Sequence, residues 1–267
     1  MKDKIKTLVK LIEDEDIETA SKAMAEVLRN QRTAWRVISI LQESSNPHLR
    51  KTAHQMQYAL TCRERQKKLA KKLLCENLNL LETLIEIHLL WFDEDSEHAL
   101  KEQWSRFRNL SKNWDANSIQ HLAEMMKALS LQSSPFEELE CADYCIGEII
   151  SSGKGADFML CSIAKIIASD ESLSLSVIAT DAGFCLYDEQ KHIGLFPDKN
   201  WTLAQCKINN NVKRWNNVML ANLTISSLMF CSIASGDLRY TYIIGSTLLK
   251  SLDSEFEKIM PYPLGKK

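Results

Sequence analysis

Apolar positions through the first 152 residues recur every three or four places, the period of helices with one buried face. Ile5, Leu8, Val9, Leu11 and Ile12 form the first stripe. Asp14-Glu15-Asp16 interrupts it, and Asp16 is placed to cap a second helix from Ile17, carrying Ala20, Ala23, Met24, Val27 and Leu28. A third helix is predicted around Trp35, Val37, Ile38 and Leu41. Asn46 as N-cap and Pro47 at the first helical position open a fourth, with Leu49, Ala53, Met56 and Leu60 on its inner face.

Leu78–Phe92 is the most apolar stretch of this half and is expected to be a central helix. Asp95 or Ser96 can cap the next, Glu97–Leu110, which carries Trp104 and Phe107. Asp115 or Asn117 is expected to cap a helix whose stripe is Ile119, Leu122, Met125, Met126 and Leu129. Methionines at that spacing read as core. Ser130–Pro135 reads as a loop and Phe136–Ile150 as a helix, and Ser151–Gly155 is the expected joint between domains at 1-152 and 153-267.

Beyond the joint a helix is predicted from Asp157 to Ser169, after which the period changes. Leu173, Leu175, Val177 and Ala179 alternate as in a strand. Phe184–Tyr187 and His192–Phe196 follow the turns Asp181-Ala182-Gly183 and Asp188–Lys191, giving a three-stranded antiparallel sheet. A long apolar helix is predicted over Asn217–Ser235. Gly236-Asp237 ends it and caps a last helix with Tyr240, Ile243, Ile244, Leu248 and Leu249, and Pro261-Tyr262-Pro263 closes the chain. The class is mainly α, α+β.

Composition supports this picture. In 267 residues there are 8 Gly and 5 Pro, too few for a turn-rich protein. The net charge of -2 gives no general attraction to nucleic acid or membrane. The opening MKDKIKTLVKLIEDED has helical spacing and no small-residue cleavage site, so it is expected to be a helix rather than a secretion signal. The apolar stretches near Ile85–Phe92 and Leu220–Ala234 are interrupted by polar side chains, and no membrane span is predicted.

Cys62, Cys75, Cys141, Cys145, Cys161, Cys185, Cys206 and Cys231 include no C-x-x-C pair. Cys141 and Cys145 lie one helical turn apart, a metal-compatible spacing, but a zinc site needs two further ligands and none is nearby. His88, His98 and His121 have no partner at ligand spacing and read as surface or helix-packing side chains. The cysteines read as free thiols of a reducing cytoplasm. Arg63, Arg65, Lys67, Lys68, Lys71 and Lys72 make a basic helix, either a partner patch or a solvated face. No aromatic platform accompanies it, which favours the solvated face.

The segment Gly155–Asp198 has the layout of a papain-like or transglutaminase-like core: a glycine-opened helix, then strands. Ile149-Ile150, Gly155 through Ile167, Leu173–Ile178, Gly183-Phe184-Cys185-Leu186 and the helical pair Met219–Leu223 with Gly236-Asp237 resemble the bacterial SirB-type branch of the transglutaminase-like superfamily. The resemblance covers roughly residues 140–264. The closing pair is similar to a tetratricopeptide unit, and SNPHLRKTAHQMQYAL in the leader resembles half of a HEAT-like unit.

The resemblance implies a thiolate at the start of the core helix, activated by a histidine on a following strand and oriented by an aspartate. Here Asp157 stands at or beside the nucleophile position and Gly183 at the base position, with Asp198 left as the acid. A carboxylate cannot form the thioester. The resemblance thus implies a non-catalytic interaction or scaffold protein. Its binding surface would be a vestigial cleft at Asp157, Gly183 and Asp198, or the concave face of the leader, with the Arg63–Lys72 helix as a further candidate. A protein partner is expected, with no cofactor or metal. The alternative is a hydrolase or acyltransferase that uses Cys161, His192 and Asp198, which occur in the enzymatic order. A nucleic-acid binder would rest on the basic helix alone.

Overall fold

The computed structural model describes residues 2–111, 118–181, 183–206 and 212–251. The chain divides into two compact units, Met1–Arg65 and Gln66–Lys267.

The first unit holds α1 (Lys2–Ile12), α2 (Ile17–Arg29), α3 (Gln31–Gln42) and most of α4 (Pro47–Leu73). Capping carboxylates and amides set the starts. The Asp16 carboxylate accepts from the Glu18 and Thr19 amides at 3.3 and 3.1 Å, and Asn46 Oδ1 accepts from His48 at 2.9 Å. Asn30 ends α2 and caps α3, accepting from Thr33. Val27, Ala34, Val37, Leu41 and Ala53 are fully buried in the core of this unit. α4 runs on without a break from the Pro47 stripe into the basic segment, because Tyr58–Leu73 contains neither Gly nor Pro.

The second unit opens with the end of α4, followed by α5 (Leu80–Trp91), α6 (Glu97–Ser111) and α7 (Ile119–Ala128). Asn79 caps α5 and Ser118 caps α7, while Ser96 accepts from the Ala99 amide at 3.0 Å. Asp115 and Asn117 lie outside the described residues, as do Ala182, Leu249's side chain and Pro261–Pro263. Then come β1 (Gln132–Ser133), α8 (Ile146–Ser152), β2 (Lys154–Gly155) and α9 (Asp157–Asp170). The sheet strands are β3 (Ser176–Thr180), β4 (Gly183–Asp188), β5 (Ile193–Phe196), β6 (Thr202–Gln205) and β7 (Arg214–Trp215). Helices α10 (Asn217–Ala234) and α11 (Leu238–Ser251) follow, with Asp237 capping α11 through the Arg239 and Tyr240 amides.

The molecule is thus mostly helical with one small antiparallel sheet, an α+β class. The sheet has five strands in the order β6-β5-β4-β3-β7, where the pattern predicts only the central three. The outer strands escape the pattern because β6 is exposed at Thr202, Ala204 and Gln205 and only half-buried at Leu203, with no alternating buried face, and β7 is only two residues long. The segment Phe136–Ile150 is not one helix. It forms 3-10 turns at Phe136–Glu138 and Cys141–Tyr144 before α8. Asp143 holds this shape, accepting from the Glu140 amide at 2.8 Å and the Ser134 hydroxyl at 2.5 Å, bonds that compete with a continuous helix.

The expected joint at 152/153 falls inside the second unit. β1 and β2 pair in parallel across it, and Ile149 before it and Ala156 after it share one apolar core with α5, α7, α9 and α10.

Helix α9 is the centre of that core. Met159, Leu160, Ile163, Ala164 and Ile167 are fully buried, each Leu or Ile contributing about 1.5–3 kcal/mol. One face of the sheet (Val177, Leu186, Leu195) packs into the same core, and the other (Ile178, Cys185, Tyr187, Phe196) forms a separate small cluster. Trp201, fully buried, donates its indole N–H to the Leu131 carbonyl at 2.7 Å and so fastens the sheet to the residue before β1. Among the described residues α10 is the one helix long and apolar enough by composition to cross a membrane. Its polar side chains do not bring it below that threshold, yet Leu220, Ala221, Ile225 and Leu228 are fully buried in the protein core.

His88 on α5 is buried. Its Nε2 lies 2.8 Å from Asp95 Oδ2, while Nδ1 has no hydrogen-bond partner among the described residues. Burial holds its pKa below the ordinary histidine value, against the pull of Asp95. The unfolded chain therefore takes up this proton first as pH falls, so stability is complete above about pH 6.5 and is lost as the pH drops toward the lowered native value. Urea midpoints from about pH 7.5 to about pH 5.5 are expected to fall more steeply for the wild type than for His88→Gln. Equal slopes would refute this role.

Candidate functional site: an aromatic cleft at the start of the central helix

The cleft is built from the elements around the first turn of α9. The β1–β2 bridge, with Gln132 N–H donating to the Gly153 carbonyl at 2.7 Å and Ser134 N–H to that of Gly155 at 3.0 Å, fixes Ser133 beside the helix start. Gly155 is required here, since a Cβ would stand 2.9 Å from Ile149. The Ser133 hydroxyl donates to Asp157 Oδ1. Asp157, the first residue of α9, is half-buried. Desolvation pushes its carboxyl pKa above the ordinary value. The bond from Ser133 opposes that shift, and the charge of Asp198 adds to it.

Gly183 begins β4 at φ +110°, a conformation that suits glycine, and a Cβ there would lie 3.4 Å from Asp157 Oδ2. Asp198 sits exposed on the 3-10 turn Pro197–Lys199, which packs against α9. Asp157, Gly183 and Asp198 therefore share one neighbourhood. Beside them opens a cavity of about 270 Å³, lined by Asp157 and by four rings, Phe136, Tyr144, Phe158 and Phe184. Ser134, Leu139, Ala156, Leu223 and Ser227 complete it, the last two from α10. Tyr144 and Phe158 stack at 5.9 Å, and Phe158 meets Phe184 at 5.7 Å.

Cys161, one turn further along α9, is fully buried, and desolvation raises its thiol pKa well above the ordinary range. Cys185 is also buried and is pushed up to about 12. His192 lies in the β4–β5 turn at φ +55°, its Nδ1 2.7 Å from the Tyr187 hydroxyl. Tyr187 belongs to the small cluster on one face of the sheet and Cys161 to the large core on the other, so β4 stands between this thiol and this imidazole. Asp198 is near Cys161, but the constellation Cys161, His192, Asp198 is not assembled. The hairpin alternation that makes β4 a strand also points Tyr187 and its partner away from α9.

The basic helix is largely committed to structure. Lys68 and Lys72 both reach the buried Glu86, at 2.6 and 2.8 Å, and Lys72 also pairs with Glu82 at 3.1 Å. Arg63 donates to the Leu28 carbonyl at 2.9 Å, and Arg65 has a partner as well. Lys67 and Lys71 remain as solvated charges. Cys141 opens a 3-10 turn and Cys145 is buried just after it, and no three His, Cys, Asp or Glu side chains gather as a metal group among the described residues.

Ser133 and the four rings escape a sequence reading. Ser133 lies in a segment that looks like a loop, and the rings come from four separate elements with no common period. Comparison with protein-family models, with characterised proteins and with solved structures finds no match.

Proposed function

We propose that this is a non-catalytic interaction protein of the cytoplasm, built on a degenerate transglutaminase-like core whose cleft at Asp157 has become a binding site. One observation carries the reading: the cleft is open and ring-lined, yet the group at its helix end is a carboxylate and the nearest thiol on that helix is sealed in the core. A general base would have to come within hydrogen-bond reach of a nucleophile, and the sheet keeps His192 from Cys161. Protein partners fit the apolar walls better than nucleic acid does, because the cleft carries acidic rather than basic side chains.

Thiol footprinting tests this. Iodoacetamide on the native protein at neutral and mildly acidic pH is expected to label the exposed Cys75 readily and leave Cys161 unmodified until the chain unfolds. Rapid labelling of Cys161 that persists below about pH 7 would show an activated thiolate and end the non-catalytic reading.

A further inference from the structure

We propose that the Asp157 cavity receives an alkylated ammonium group, such as the head of a methylated lysine side chain. The inference rests on the reading of this cleft as a binding site and names what it binds.

Aromatic faces carry the negative part of the ring quadrupole and attract a cation placed against them. Four rings converge on this cavity, and the carboxylate among them is Asp157. Oδ1 of Asp157 is engaged by Ser133, which leaves Oδ2, on the Gly183 side, to face an incoming charge. Among the described residues neither Asp157 nor Asp198 has a lysine or arginine partner. The rim adds to the negative field, since the exposed Glu137, Glu138 and Glu140 follow Phe136 in the chain. Trp215, edge-on to Phe184 at 5.4 Å, already holds Lys213 4.7 Å from its ring centre, the same kind of contact made within the chain.

The chemistry of the walls selects the kind of cation. A primary ammonium carries three donors and is strongly hydrated. Apart from Asp157 and the residues Tyr144 and Ser227, which carry hydroxyls, the cavity offers it carbon, from Leu139, Ala156, Leu223 and the phenylalanine rings, and the Ser134 hydroxyl already donates to Asp143, so its three donors are not all met. A trimethylammonium head has no donors to satisfy and loses little hydration, so rings plus one carboxylate suffice. Phe136 is 85% exposed on a 3-10 turn at the mouth, placed to close over such a head at small cost to the fold.

The full chain would be titrated with choline, with 3,3-dimethyl-1-butanol as its uncharged isostere, and with one short peptide carrying trimethyl-lysine or plain lysine, followed by calorimetry and NMR. Choline or the trimethylated peptide is expected to bind saturably, with the isostere and the plain peptide at least about fivefold weaker. Phe136→Ala is expected to weaken binding about three- to tenfold with unchanged melting temperature, and Asp157→Asn to weaken it as well. Tighter binding of the peptide than of choline would assign the group to a protein partner, and the reverse to a free amine. An isostere that binds as well as choline would refute the cation while leaving the cleft reading intact. A protein that takes none of these probes would refute both, and binding unaffected by Phe136→Ala would place it outside this cavity and overturn the proposal.

Discussion

Trp201→Ala is expected to lower the stability of the Gln66–Lys267 unit by about 3–5 kcal/mol, the range for removing a fully buried large ring. Trp201 is fully buried, and its N–H bond to Leu131 at 2.7 Å ties the sheet to the strand that carries Ser133. Two effects should therefore appear together. The unfolding midpoint in urea drops, and the cleft loses definition as β1 loosens from the Asp157 side. Trp201→Phe separates them. It keeps most of the apolar contact and leaves the Leu131 carbonyl without its donor, which costs about 1–3 kcal/mol. If Trp201→Ala lowered stability by less than about 1 kcal/mol, the side chain would not be the anchor described here.

The second large effect concerns the basic helix. Replacing both Lys68 and Lys72 by Met should destabilise the same unit by about 3 kcal/mol, because Glu86 would remain buried without a counter-charge. That figure is the low end of the range for breaking a buried pair, since Lys68 is half exposed and its pairing is partly screened by solvent. Adding Glu86→Leu to the double variant should restore most of the loss, as an apolar side chain fits where a lone carboxylate does not. A solvated face would behave differently. The lysine substitutions would then shift the urea midpoint hardly at all, and the third change would give no rescue. Among the described residues Glu86 Oε2 has no hydrogen-bond partner, so this site is sensitive to any further loss of charge.

Local chemistry was legible where it is written in neighbouring residues. Asp16, Asn46 and Asp237 cap the helices they were expected to cap, and the methionine stripe at Met125 and Met126 is core. The glycine-opened helix and the two central hairpins follow from a change of period at Leu173. Pairings over longer distances were not legible. Glu86 lies on the next helix rather than within a turn or two of Lys68 and Lys72, so six basic residues looked like a surface when two were counter-ions of a buried acid. The rings of the cleft come from a 3-10 turn, a second 3-10 turn, a helix and a strand, and no periodicity links them. The break at Phe136–Tyr144 depends on how Asp143 spends its oxygens, which composition does not reveal. The order Cys, His, Asp in the sequence suggested a triad, but chain order carries no information about which side of a sheet each residue occupies.

The short margins of the sheet bear on how the protein behaves when crowded. β6 offers four residues and β7 two, with Arg214 and the adjacent Lys213 at the latter. A fibril needs a longer, flatter and less charged template, so lateral growth by strand addition is disfavoured at both sides. Self-association, where it occurs, should begin instead at the far end of α10, where Phe230 and Ile233 stand in solvent.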